Sequence, residues 1–432
     1  MMRRSSTTID QLADHLSKDK TFDQFQLFEE NRSVLKAGFN NEDLGGIYQP
    51  IQNHTHSRIS YLITTKDNKQ AKGSLNPNAI EDLKATTDVI KKTAFKYTDQ
   101  IKLAPKVSNY NPIQLSSSKL ESIIKSSPKE IVEYTKLLFE DQKSLGLKSI
   151  ESQVSIRYNE KRFISSNGND MKSVDTSHDY YIEYNAEISA SNESCDFIPI
   201  SEFSKTHRIA QFAKDLKQKP VKLSDHNLPV LFIPYAGFGI LDKYILENIN
   251  GTLVESKVSR FDIDDFAKDK QIARNDISIN VDQTKPMDTD SFNFSTEGIV
   301  GKKFTILEKG RLVDPICDLQ TASKLGLKPL VLSSLSSAEY DTNYYEDYLK
   351  THPRFILVLS VLGIHTQNPT TGDYSLPCPS ALYIENGKII GPVNCVLSGN
   401  FFDKLNDDSL EFVKHPAFNK PLLGFDSMAS VK

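Results

Sequence analysis

The sequence predicts an α+β protein: helices on a mixed sheet over residues 1–220, then a β-rich C-terminal domain over residues 221–432. Three observations carry this. A chain of 432 residues suits two domains, each long enough to bury its own core. Strand signals and well-punctuated helices share the first half, whereas beyond residue 229 one helix is followed mostly by strands and turns. Between the halves, the polar helix expected over residues 204–217 runs into Lys217-Gln218-Lys219-Pro220, a linker composition.

In chain order, residues 58–65 (RISYLITT) are rich in β-branched and aromatic side chains and end at the turn pair Asp67-Asn68. Asn76 and Pro77 read as N-cap and first residue of a helix whose inner face is Ile80, Leu83, Thr87, Ile90 and Ala94. A second helix opens on the capping box Ser127-Pro128-Lys129-Glu130. It buries Ile131, Tyr134, Leu138 and Leu145 and closes at Gly146. Residues 154–158 alternate as a strand, Asn159-Glu160 is expected to turn it into residues 162–165, and Asn167-Gly168 turns the chain again before the strand 180–184. The second half opens with a buried-type strand at 229–233 and a helix over 239–250. Strands follow at 304–307 and 355–362, then a hairpin over 382–390 around Asn386-Gly387.

Composition excludes several classes of function. With 52 Lys+Arg against 56 Asp+Glu the net charge is −4, so no broad basic footprint for nucleic acid or anionic lipid exists. The longest nearly apolar run, residues 355–364, is half of the roughly 20 residues that a membrane-spanning helix needs. Arg3 and Arg4 near the start have the flavour of a targeting segment. Asp10 and Asp14 follow at once without an apolar core, and a cytoplasmic protein is expected. The four cysteines (195, 317, 378 and 395) form no Cys-x-x-Cys pair, so free thiols are expected.

The search for chemistry finds little. His54-Thr55-His56 is the one close histidine pair and reads as a solvated polar loop. No histidine precedes a glutamate, and none lies between His226 and His352. Cys378 sits between prolines with no local base, and no Gly-x-Ser-x-Gly elbow or phosphate loop occurs. Ala236-Gly237-Phe238-Gly239, read as a loop ahead of the helix, offers a weak anion cradle and suits tight strand-to-helix packing better. Asp262, Asp264, Asp265 and Asp269 read as a solvated face diluted by Lys268 and Lys270.

One stretch is more informative. Gly372-Asp373-Tyr374-Ser375, then Ile384-Glu385-Asn386-Gly387, Pro392-Val393 and Gly399-Asn400 resemble, in order and spacing, the C-terminal signature of the TldD/PmbA family. Upstream, Ser295-Thr296-Glu297-Gly298, Glu308-Lys309-Gly310-Arg311-Leu312 and Lys324-Leu325-Gly326 are similar to further family segments, as are Asn76-Pro77-Asn78-Ala79-Ile80 and Asn167-Gly168 in the first half. Gly372-Asp373 and Asn386-Gly387 also read on their own as turns needing φ > 0, and Gly399-Asn400 as a helix start.

The resemblance implies a zinc metallopeptidase fold whose active members carry His-Glu, three residues and His on one helix, with a cysteine near the C-terminus as third ligand. Matching Gly239 to the glycine that opens that helix puts Lys243 and Tyr244 at the His-Glu pair and Asn248 at the second His. The region of the third ligand, near residues 405–423, offers His415 and no cysteine. The resemblance is closest to the PmbA (TldE) branch, which lacks the zinc motif. It implies no catalytic or metal-binding residue in this chain, zinc only in an active TldD-like partner, a heterodimer with that paralogue, and unstructured peptides as substrates. The family turns (Gly372, Asp373, Tyr374, Ser375, Asn386, Gly387, Gly399 and Asn400) become groove or structural residues. Two other readings remain: a stand-alone peptide-binding homodimer, and a peptidase with a site rebuilt from His365, Asp373 and His415.

Overall fold

The computed structural model describes residues 8–40, 51–80, 82–96, 99–147, 150–184, 188–223 and 227–431. The chain is α+β. Helix α1 (Thr8–Lys18) precedes strand β1 (Phe22–Asn40), followed by β2 (Gln52–Thr65), β3 (Gln70–Leu75), α2 (Leu83–Thr93), α3 (Ser118–Ser126) and α4 (Lys129–Ser144). Then come β4 (Ile150–Ser165), β5 (Asp170–Tyr184), β6 (Ile188–Ser194) and α5 (Ser204–Asp215). The six strands make one sheet in the order β3-β2-β1-β4-β5-β6, antiparallel throughout.

That sheet is covered on both faces, which explains why its central strand escapes a sequence reading. Leu27, Leu35 and Ala37 of β1 point to the helices, packing with Ile9 and Leu12 of α1 or Leu138 and Phe139 of α4. Phe28 points the other way, into a cluster with Phe163, Phe294, Ile299 and Leu319. A strand buried on two sides need not alternate, and Gln26, Glu29 and Glu30 are buried in it. Asn159-Glu160 makes no turn: β4 runs straight through it, Asn159 opposite Arg32 on one side and Asp175 on the other. His54 and His56 lie on β2 rather than in a loop, exposed and paired in register with Val34 and Arg32.

Two helix starts also differ from expectation. Asn76 does cap a turn, accepting from Asn78 N at 3.0 Å, but the α-helix begins afresh behind Asp82, which caps Lys84 N at 2.8 Å. The Ser127–Glu130 box is not formed: Pro128 is the cap of α4 and no side chain bonds there. Gly146, at φ +75, closes α4 as read.

The second half starts at β7 (Asn227–Phe232) and helix α6, whose Pro234–Leu241 continues through a π-helical turn at Asp242–Leu246 to Glu247–Ile249. Gly237 and Gly239 are therefore inside the helix, not ahead of it. A Cβ at Gly237 would lie 2.9 Å from Leu423 Cβ and one at Gly239 3.3 Å from Ile364, so both are glycines of close packing. A small sheet follows, β10-β9-β8-β11, from β8 (Ile279–Asp282), β9 (Lys303–Glu308), β10 (Arg311–Leu312) and β11 (Ala338–Glu339). The last sheet comprises β7 with β12 (Asn343–Tyr344), β13 (Arg354–Ser360), β14 (Asp373–Cys378), β15 (Ser380–Glu385), β16 (Lys388–Pro392), β17 (Cys395–Asn400), β18 (Glu411–Lys414) and β19 (Leu422–Val431). Mixed pairing belongs here, where β7–β13 and β12–β18 are parallel. No helix among the described residues is long and apolar enough to cross a membrane.

Candidate functional site

The π-turn of α6 is the local feature that builds the site. Glu247 N reaches back to Asp242 O, five residues earlier, so the helix is locally underwound and widened, with about one extra residue in that turn. In a regular α-helix positions 243 and 248 would diverge by five residues' rotation; the wider turn brings them onto one side. Both reach the same loop, residues 363–373.

Three helix residues hold three carbonyl groups of that loop. The Lys243 ammonium donates to His365 O at 3.4 Å while bonding both carboxylate oxygens of Glu247 at 3.1 Å. The Tyr244 hydroxyl donates to Asp373 O at 2.9 Å, and Asn248 Nδ2 donates to Pro369 O at 2.9 Å. Asn248 Oδ1 in turn accepts from Arg260 N at 2.7 Å, and Arg260 Nη1 donates to Thr370 O at 2.8 Å. The Tyr244 ring is fully buried, stacked on Phe401 at 5.3 Å, and burial pushes its hydroxyl well above the ordinary tyrosine range. Lys243 is the charged member, its side chain only 11% exposed.

These side chains do not fit a zinc ion. An ammonium paired with a carboxylate has no lone pair to offer, the Tyr244 hydroxyl is held protonated as a donor, and both polar groups of Asn248 are spent on backbone. Among the described residues no three His, Cys, Asp or Glu side chains come together as a metal-holding group. His415 is buried between Phe212, Tyr345 and Phe418, its Nδ1 accepting from Ala417 N at 3.1 Å. Burial, with Arg208 nearby, lowers its pKa to about 4. His365 is exposed on the loop and Asp373 opens β14, so His415 takes no part in the contacts that those two make.

Six of the eight family-turn residues converge at the end of this loop. Gly372 has φ +83, and Asp373 and Tyr374 stand opposite Asn400 and Gly399 in the β14–β17 ladder. Asn400 caps the following helix through Phe402 N at 3.0 Å, and its amide donates to Thr371 O and Asp373 Oδ1, each at 2.9 Å. Tyr374, pushed up to about 12 by burial, shares a 3.0 Å hydrogen bond with Ser427 and packs over Gly399, where a Cβ would lie 2.7 Å from its hydroxyl. Ser375 N donates to Gln367 Oε1 at 3.1 Å. Asn386 and Gly387, at φ 49 and 74, are elsewhere: they turn β15 into β16, and Asn386 N donates to Pro353 O. Sequence reasoning missed Arg260, which lies 4.1 Å over the Phe402 ring, because nothing local marks it.

Beside the helix is a cavity of about 390 Å³ lined by Gly239, Asp242, Lys243, Glu247 and His365, with Leu332 and Ser333 at its margin. Leu332 and Ser333 also border a second cavity of about 340 Å³, lined by Arg157, Lys161, Asp175 and Glu193 of the first sheet. The two are neighbours, and the pinned loop forms one wall of the first. The acidic cluster after α6 is a solvated face as read: Asp264 pairs with Lys268, and Asp265 with Lys270.

Comparison with known proteins finds relatives of this arrangement. Residues 225–414 match the model of the PmbA/TldA metallopeptidase C-terminal domain. The Methanocaldococcus jannaschii protein MJ0231, itself uncharacterised, is 24% identical over 264 residues, which make up 57% of this chain and 60% of that one. The chain thus spans about three fifths of that relative's length. The solved structure of BT3649 from Bacteroides thetaiotaomicron, described as a modulator of DNA gyrase, has a TM-score of 0.79 at 20% identity and 99% coverage of each chain. TldE from Thermococcus kodakarensis has a TM-score of 0.79 at 16% identity, covering 99% of this chain and 100% of that one. These structures share the fold, and residues 225–414 are similar to the C-terminal domain of the PmbA/TldA metallopeptidases.

Proposed function

We infer that the chain is a non-catalytic, TldE-like subunit that pairs with an active, zinc-bearing TldD-type paralogue to degrade or trim unstructured peptides. One observation carries the reading. The helix positions at which the family resemblance places His, Glu and His hold Lys243, Tyr244 and Asn248, and each spends its polar group on the backbone of residues 363–373. A helix face that ligates metal must present free lone pairs; this one presents donors, all engaged. The scaffold of a peptidase site is kept and used to fix a loop.

The test is reconstitution. The purified chain is expected to bind less than stoichiometric zinc and to leave unfolded casein intact. Peptide cleavage is expected when an active His-Glu-x-x-x-His paralogue is added, together with a mixed dimer in sedimentation. Casein cleavage by the chain alone that a chelator abolishes overturns the reading, as does the absence of any complex with such a paralogue.

A further inference from the structure

Among the described residues strand β14 pairs with β17 alone, and this two-stranded ladder joins the last sheet through β17 and β19. One end of the ladder carries Asp373 opposite Asn400, with Asp373 O tied to α6 by Tyr244. The other end is a pair of cysteines. Cys378, the last residue of β14, stands directly opposite Cys395, the first of β17.

Their side chains share the inner face. Along β14 Tyr374, Leu376 and Cys378 are buried while Asp373, Ser375 and Pro377 are exposed, and on β17 Cys395 and Leu397 are the buried residues. Opposed residues of an antiparallel ladder have Cα atoms about 4.5 or 5.5 Å apart, and both spacings lie within the range of about 4.4–6.8 Å that a disulfide bridges. Both thiols are free and belong to the apolar core. They are in hydrogen-bonding contact, which raises Cys378 and lowers Cys395. Burial adds to the first shift and opposes the second.

The other two cysteines differ. Burial, with aspartates nearby, pushes Cys195 up to about 12 and Cys317 up to about 11, so both stay protonated and unreactive. Cys378 and Cys395, at 2% and 4% exposure, lie one layer below the surface, because Pro377, Pro379 and Asn394 beside them are exposed. The end of a ladder frays, and Pro377 and Pro379 have no N–H with which to hold this one. Such an opening favours a small oxidant over a bulky disulfide.

We propose that Cys378 and Cys395 form a peroxide-responsive clasp: a small hydroperoxide oxidises the pair to a disulfide that links β14 to β17 and closes the chain around the β15–β16 hairpin. The Cys395 thiolate attacks one peroxide oxygen, the O–O bond breaks, and the sulfur is oxidised to a sulfenic acid. The departing oxygen takes up the proton that Cys395 lost. Cys378 Sγ then attacks the Cys395 sulfur, and the S–O bond breaks with water leaving on the Cys378 proton. Two thiols and one hydrogen peroxide thus give one disulfide and two waters, and a dithiol reverses the link. The clasp needs neither zinc nor a partner subunit, so it goes beyond the subunit reading and stands or falls separately from it.

The test treats the full chain with hydrogen peroxide, blocks the remaining thiols with iodoacetamide in denaturant, and maps an unreduced tryptic digest by mass spectrometry. Cleavage after Arg354, Lys388 and Lys404 leaves Cys378 in peptide 355–388 and Cys395 in peptide 389–404. The expected product is these two peptides joined, two hydrogens lighter than their sum. Titratable thiols in the denatured chain are expected to fall from four to two and to return to four with dithiothreitol. The oxidised monomer is expected to have a higher urea midpoint than the reduced one and slower hydrogen exchange at amides 395–400. Four thiols left after treatment, a bridge to Cys195 or Cys317, or a bridge between two chains overturns the proposal. So does a Cys378–Cys395 bridge that leaves the midpoint unmoved or lowers it.

Discussion

Tyr244 donates its hydroxyl to the carbonyl oxygen of Asp373, 129 residues away in sequence, at 2.9 Å. The relationship joins the helix onto which the family resemblance maps the zinc motif of active members to the strand on which it places its signature turn. It also makes the helix a measurable clamp. Tyr244→Phe keeps the ring on Phe401 and removes only the donor, leaving Asp373 O without this partner. A loss of about 1–2 kcal/mol is expected, read as a lower urea midpoint. Tyr244→Ala also empties a fully buried ring site and is expected to cost about 3–5 kcal/mol. Equal stability of the phenylalanine variant and the parent would show that this tether carries no load.

Asn248 is the densest node of the same clamp. It is 1% exposed, donates to Pro369 O and Tyr244 O, and accepts from Arg260 N. Asn248→Ala strands these groups and is expected to cost about 2–4 kcal/mol, with faster protease cleavage within residues 363–373. Asn248→Asp keeps the acceptor for Arg260 but sets a carboxylate against the Pro369 carbonyl, and is expected to fall no closer to the parent than the alanine variant. If both variants are cleaved at the parental rate, the loop is held by something other than α6.

What could be read from sequence was what local geometry writes there. Asn386-Gly387, Gly372 and Asn400 were readable because a positive φ or a helix cap leaves few residue choices. Strand β1 was hidden because burial on both faces removes alternation, and its buried Gln26, Glu29 and Glu30 mimic a surface. The start of α6 was placed too late because Gly237 and Gly239 signal a loop, whereas contact with Leu423 and Ile364 requires them inside a helix. What Lys243, Tyr244 and Asn248 do was hidden as well, since a side chain bonding a carbonyl 121 or 129 residues away leaves no local pattern.

Gly372 tests the signature turn itself. Its φ of +83 already disfavours any Cβ, and a Cβ there would run into the Phe402 ring and lie 2.9 Å from Asn400 Oδ1. Phe402 is packed against Tyr244, Phe261 and Arg260, so it has nowhere to retreat. Gly372→Ala is therefore expected to cost about 3 kcal/mol or more. Gly146→Ala, at a similar φ of +75 but with nothing within 4 Å of the added Cβ, measures the backbone component alone and is expected to cost about 1 kcal/mol. Similar losses at the two sites would mean that the Phe402–Asn400 contact adds nothing.

Three buried ionisable groups contribute to the pH dependence of stability below neutral pH, and they oppose one another. Burial lowers His178 to about 4, with Lys119 acting the same way and Asp196 against it, and His415 is lowered to about 4 by burial and Arg208. Between about 4 and the ordinary value of 6.5 the unfolded chain holds a proton at each that the fold excludes. Their contribution is complete above 6.5 and lost as pH falls toward 4. Glu29 runs the other way. Burial raises it to about 7, with Arg162 opposing and Asp10 and Glu160 adding, and its Oε1 has no partner. The fold keeps a proton there that the unfolded glutamate loses above 4.5, so this contribution is present below 4.5 and lost as pH rises to 7. Between pH 4.5 and 6.5 the unfolded state thus gains two protons at the histidines and forgoes one at Glu29, a net of one. Stability is expected to rise with pH there by about 1.4 kcal/mol per unit from these three groups. Glu29→Gln keeps the neutral shape and removes the opposing proton, and should roughly double that slope, read from urea midpoints across the interval. An unchanged slope in this variant would mean that Glu29 is ionised in the folded protein and that the burial of its carboxyl is compensated.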